Sequence, residues 1–182
     1  MVVELKKVAY SLEEIIIQNK SIKTRKRTIG RKKGKNDYTG STEIGWGGEM
    51  GIKIKANDNN HKVLDINYKV MEITYDSILF RVNMYTTKNG FPDKTILKEP
   101  IYILGKKGDS WIEKNLESTN INFNKEIITT VESIKAWPNN TSGYGVFYCN
   151  GKGYNSKTYY KVASMSKWKT KKEPKMLSLI HI

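Results

Sequence analysis

Alternating apolar and polar positions recur along most of the chain. The clearest run is Ser77 to Tyr85, where Ile78, Phe80, Val82 and Met84 fall on one side of a period-2 pattern and Leu79, Arg81, Asn83 and Tyr85 on the other. Successive strand side chains point to opposite faces, so this spacing predicts a half-buried strand, one face in the core and the other partly wet. Leu64, Ile66, Tyr68 and Val70 alternate with Asp65, Asn67 and Lys69, and the phase slips at Val70-Met71 before Ile73, which predicts a β-bulge. Ile101 and Ile103 follow Pro100, Ile121 and Phe123 flank Asn122, and Ile127-Ile128-Thr129-Thr130-Val131 is wholly β-branched. Turn-forming clusters separate these runs at Asn57 to Asn60, Lys88 to Asp93, Gly105 to Gly108, Pro138 to Gly143 and Asn150 to Asn155. A helical stripe is absent beyond a turn at Ser11 to Ile17. Short strands spaced by such turns imply an all-β fold, an antiparallel β-sandwich of the jelly-roll kind.

The strand Ser77 to Tyr85, with the turn Asn89-Gly90-Phe91-Pro92 after it, resembles a motif of bacterial cell-envelope proteins. It is similar to the β-sandwich module that follows their carboxypeptidase-regulatory-like domain. Gly45-Trp46-Gly47-Gly48-Glu49-Met50-Gly51-Ile52-Lys53-Ile54 resembles the glycine-rich approach to that module's first core strand. Trp111, Glu132, Tyr159-Tyr160-Lys161 and Lys167-Trp168 follow in the family's order, so the likeness covers about Ile44 to Trp168. Val2-Val3-Glu4-Leu5 and Leu12-Glu13-Glu14-Ile15-Ile16-Ile17 resemble the last strands of the upstream domain. The resemblance implies a β-sandwich without peptidase activity, located in the cell envelope, periplasmic or outer-membrane-associated.

Leu177-Ser178-Leu179-Ile180-His181-Ile182 is similar to the in-frame translation of a sequencing adapter. Residues 1–19 are therefore expected to close an upstream domain, 20–36 to be a basic linker, 37–176 to form the sandwich, and 177–182 to stand where a native last strand is missing or replaced. His181 carries no functional weight in this reading. Removing these six residues is expected to change stability little.

The chain has 182 residues and a net charge of +14, which looks like a nucleic-acid signal until it is located. Residues 36–166 hold 16 basic and 14 acidic residues, so the excess sits in the flanks, above all in Lys20 to Lys35. That run has few apolar residues, two glycines and no aromatic residue; it reads as a solvated linker, with an electrostatic tether to an anionic surface as the alternative. Lysine outnumbers arginine 28 to 4, whereas nucleic-acid readers favour Arg for bidentate contacts. No nucleic-acid partner is expected, and no stretch approaches the roughly 20 apolar residues of a membrane helix.

Catalytic and metal constellations are weak. Cys149 stands alone, which precludes an intrachain disulfide, and its pairing with His61 as nucleophile and base is disfavoured because His61 follows a turn cluster. Zinc would need clustered ligands that a chain with two histidines lacks, so no metal and no cofactor is expected. Glu49, Glu113, Glu126 and Glu132 are candidates for a paired-carboxylate glycosidase, although acids scattered in strands are usually solvated or salt-bridged. The aromatic set offers more. Trp46, Trp111, Trp137 and Tyr144 are the candidate ligand-binding residues, Trp137 and Tyr144 flanking one loop. Such rings stack sugars in many jelly-roll modules, and they also pack strand edges for reasons of shape alone. The functional expectation is a non-catalytic binding or spacer module whose partner is a glycan or another envelope protein. A carbohydrate-binding module and a glycoside-active enzyme are the alternatives.

Overall fold

The computed structural model describes residues 25–30, 38–42, 47–55, 60–138, 145–150, 157–171, 175–176 and 178–182. Residues 1–24, much of the basic run, and the candidates Trp46 and Tyr144 lie outside them.

Among the described residues the chain is all-β, with one 3-10 turn at Glu117–Thr119. The first sheet runs β1 (Thr28–Gly30), β16 (Ser178–His181), β5 (Asp65–Ile73), β12 (Gly145–Asn150) and β15 (Lys175–Met176), with β2 (Tyr38–Thr42) on β12 and β9 (Trp111–Asn115) on β5. The second runs β14 (Lys169–Lys171), β13 (Thr158–Lys161), β3 (Glu49–Ile54), β11 (Ile127–Trp137), β6 (Ser77–Lys88) and β7 (Phe91–Thr95), with β8 (Ile101–Lys106) on β6. A two-stranded ribbon joins β4 (His61–Lys62) to β10 (Asn122–Phe123). Every pairing is antiparallel, and the two large sheets form a β-sandwich.

The alternation of β6 is realised as read: Ile78, Phe80, Val82 and Met84 are fully buried, and the residues between them are half-buried. Ile66, Tyr68 and Val70 of β5 meet them from the first sheet in one core. A buried hydrogen bond joins the layers, Tyr68 Oη lying 2.9 Å from Thr129 Oγ1 of β11. Gly105 of β8 is packed so closely that a Cβ there would stand 2.8 Å from Phe80 and 2.9 Å from Ile73. The β6–β7 hairpin turns through Asn89 (φ 52°) and Gly90 (φ 80°) between the paired Lys88 and Phe91, the positive-φ connection that matches strand twist. The predicted bulge is present, because Met71 has no partner between Val70↔Phe147 and Glu72↔Val146.

Two expectations are corrected. Thr28–Gly30, inside the run read as a linker, is an edge strand: Ile29, one of that run's few apolar residues, packs against the core, and Arg27 exchanges backbone hydrogen bonds with Ile182. The final segment was not expected to alternate toward the core. It does, with Ile180 and Ile182 buried while β16 bonds to β1 and β5 on its two sides.

Candidate functional site

Antiparallel partners point to the same side of a sheet, so the register of the second sheet defines its outer face. Glu132 of β11 is opposite Glu49 of β3 on one side and Arg81 of β6 on the other; Arg81 is in turn opposite Tyr102 of β8, and Glu49 opposite Lys161 of β13. One row of side chains thus crosses five strands. Adjacent members have Cβ atoms about 4.5–5.5 Å apart.

The middle of this row is closed although it faces away from the core. Glu49 is buried and accepts hydrogen bonds from Tyr85 Oη at 3.0 Å to each oxygen, from Thr130 Oγ1, and from Lys161 Nζ at 2.8 Å. Trp168 covers the group, its ring 5.9 Å from that of Tyr85 and 5.1 Å from Lys161 Nζ. Glu132 is also buried, and its Oε2 accepts Arg81 Nε at 3.0 Å and Nη2 at 2.7 Å. Two carboxylates and two cations therefore cancel, which is the condition under which charges survive burial. Burial, reinforced by the Glu49 charge and hydrogen bond, pushes the Tyr85 phenol well above its ordinary range, so it remains a donor. Burial works against the Arg81 cation, yet the hydrogen bond and charge of Glu132 outweigh it and raise its pKa.

Toward the far end of β6 the face opens. Leu79 is opposite Leu104, and Ser77 is opposite both Lys106 and Trp137. Trp137 reaches this side because of a bulge in β11: Ser133 pairs with Phe80 and Lys135 with Leu79, leaving Ile134 as the extra residue. Lys135 Nζ sits 5.1 Å from the Trp137 ring. Tyr102 is 42%, Leu104 49% and Trp137 38% exposed.

Of the residues singled out by sequence, Trp137 lies on this open face. Trp111 does not. It pairs with Lys69 of β5, whose neighbours Tyr68 and Val70 face the core, so Trp111 is on the outer side of the opposite sheet and shares no platform with Trp137. Among the candidate acids, Glu49 and Glu132 are brought together, Glu126 pairs with Lys53 at 2.7 Å, and Glu113 is exposed opposite Asn67 on the far sheet. His61 stacks near Phe123 with ring centroids 5.4 Å apart, and its Nε2 is buried without a partner among the described residues. No metal-holding group of His, Cys, Asp or Glu occurs among the described residues, and no described helix is long and apolar enough to cross a membrane.

Sequence reasoning did not single out Tyr102, Lys135 or Arg81 as site residues. One signal was available: Arg81 is the only arginine outside residues 25–31 in a chain that otherwise uses lysine. Comparison with protein-family models, curated proteins and solved structures gives no match.

Proposed function

We propose that the chain is a non-catalytic binding module of a bacterial cell-envelope protein, standing beside a regulatory-like domain, and that it holds a glycan on the open end of the second sheet's outer face. The observation that carries this reading is the exposure of Trp137 and Tyr102 on one face, on either side of β6, with Tyr102 opposite Arg81 of the Arg81–Glu132 pair. Aromatic rings cover the apolar faces of sugars, and neighbouring polar groups take the hydroxyls. The motif residues behind the family resemblance support it further, since Glu49, Arg81, Tyr85, Glu132, Lys161 and Trp168 converge on this face.

A glycoside-active enzyme is the second reading, favoured by Glu49 and Glu132 being direct cross-strand partners. Both side chains are almost wholly buried and already engaged, which leaves neither open to a substrate oxygen. Affinity electrophoresis and calorimetry against a panel of cell-wall polysaccharides test the proposal. Trp137→Ala is expected to weaken binding at least about tenfold without shifting the melting temperature. Binding unchanged in Trp137→Ala, or none to any polysaccharide, would overturn it. Release of reducing ends that disappears in Glu132→Gln would establish the enzyme instead.

A further inference from the structure

We infer that the glycan held on this face carries carboxylate groups, with Arg81 as the residue that reads them; the inference rests on the binding proposal above. Glu132 Oε2 takes both Nε and Nη2 of Arg81. These two bonds hold the guanidinium, while its Nη1 makes no hydrogen bond to any described residue and the side chain is 39% exposed. Donors held in this way lose little freedom on engaging a second carboxylate, and the planar fork suits one bidentately.

The surroundings favour an anion. Lys106 and Lys135 flank the same open face and make no ion pair with any described residue. Glu132 is engaged by Arg81 itself, and the other acids at this end, Asp76 and Asp109, lie in the loops beside Lys106, with Asp109 accepting the Lys106 backbone N–H. Tyr102 is directly opposite Arg81, and Trp137 lies beyond it by the four residues from Arg81 to Ser77. That is about 13 Å along the strand, enough for a few sugar rings laid over the two aromatics. A uronate chain, which repeats one carboxylate per ring, matches that spacing of rings and cations.

The test uses the full chain and two polymers that differ only in charge, polygalacturonate and its methyl ester, with calorimetry at two salt concentrations. Polygalacturonate should bind about tenfold tighter than the ester. Arg81→Lys, which keeps the charge beside Glu132 but loses the fork, should remove most of that preference, and Tyr102→Ala should weaken both polymers. Circular dichroism melting confirms that each variant is folded. Equal binding of the two polymers overturns this inference and leaves the glycan reading standing; binding of neither polymer overturns this inference, and the wider panel decides that reading. If Tyr102→Ala, Trp137→Ala and Arg81→Lys all leave polygalacturonate binding unchanged, the basic flank accounts for it and the inference fails. Tighter binding of a thymidine oligonucleotide than of polygalacturonate, lost in Tyr102→Ala, would assign the face to single-stranded nucleic acid and overturn it as well.

Discussion

Tyr68→Phe tests the contact that fixes how the two sheets face each other. The Tyr68 hydroxyl is fully buried, lies 2.9 Å from Thr129 Oγ1, and donates at 3.3 Å to the carbonyl of Thr130. Burial raises the phenol's pKa far above its ordinary value, so it is a protonated donor at neutral pH. Removing the oxygen loses about 1 kcal/mol of net hydrogen bonding and leaves the buried Thr129 hydroxyl short of a partner, for about 1–2 kcal/mol more. The expected cost is about 2–3 kcal/mol, a fall of about 1 M in the urea midpoint for a slope near 2.5 kcal/mol/M. Thr129→Val should cost a similar amount. In the double variant neither hydroxyl is left facing an apolar group in place of the other, so it should cost at least about 1 kcal/mol less than the sum of the singles. Urea unfolding followed by tryptophan fluorescence measures all four proteins. Costs that add to within about 0.4 kcal/mol would mean that the two hydroxyls do not meet, and the packing of β5 on β11 described here would be wrong.

Phe80→Ala should destabilise by about 3–5 kcal/mol, because the ring is fully buried and packed onto Gly105; an unchanged urea midpoint would refute its place in the core. Glu126 is held below its ordinary pKa first by the hydrogen bond from Lys53, so its contribution is complete above about pH 4.5 and is lost as pH falls through the lowered value. With Glu126 partly exposed, that contribution is under about 1 kcal/mol, and Glu126→Gln should flatten the acid limb of stability against pH by no more than this. Removing residues 177–182 should cost several kcal/mol, since Ile180 and Ile182 each bury a side chain worth about 1.5–3 kcal/mol; a truncated chain with an unchanged midpoint would show that β16 contributes no stability.

The legible parts of the fold were those written in local periodicity. β6 could be read because one of its faces is apolar at every second position, and the Met71 bulge because Val70 and Ile73 break phase. β11 could not be apportioned between faces. Its residues 127–133 are all buried, since Trp168 and its neighbours fold over the side away from the core, and a strand covered on both sides shows no alternation. The Glu49–Glu132 pairing depends on β3 and β11 being neighbours in one register across 83 residues of sequence, which no local signal carries. Trp111 and Trp137 looked equivalent because composition does not say to which sheet a strand belongs. Arg81 was visible as the outward residue of its strand, but its role depends on Glu132 and Tyr102 arriving from two other strands.

The extra residue in β11 gives this strand an uneven tolerance to changes in length. Deleting Ile134 would turn the bulge into a regular ladder while Ser133 still pairs with Phe80 and Lys135 with Leu79, so the core and the open face would both keep their side chains. Deleting Thr130 lets the same bulge absorb the loss, but only by turning Val131, Glu132 and Ser133 over. The carboxylate that anchors Arg81 would then enter the sandwich, and Val131 would take the buried place of Thr130, leaving Glu49 without that hydroxyl. Two single-residue deletions four positions apart are therefore expected to differ between near-neutral and unfolded, as thermal melts of the two proteins would show. On this strand an alteration in residue count is survivable at one place, and that place lies between the charged anchor and the exposed tryptophan.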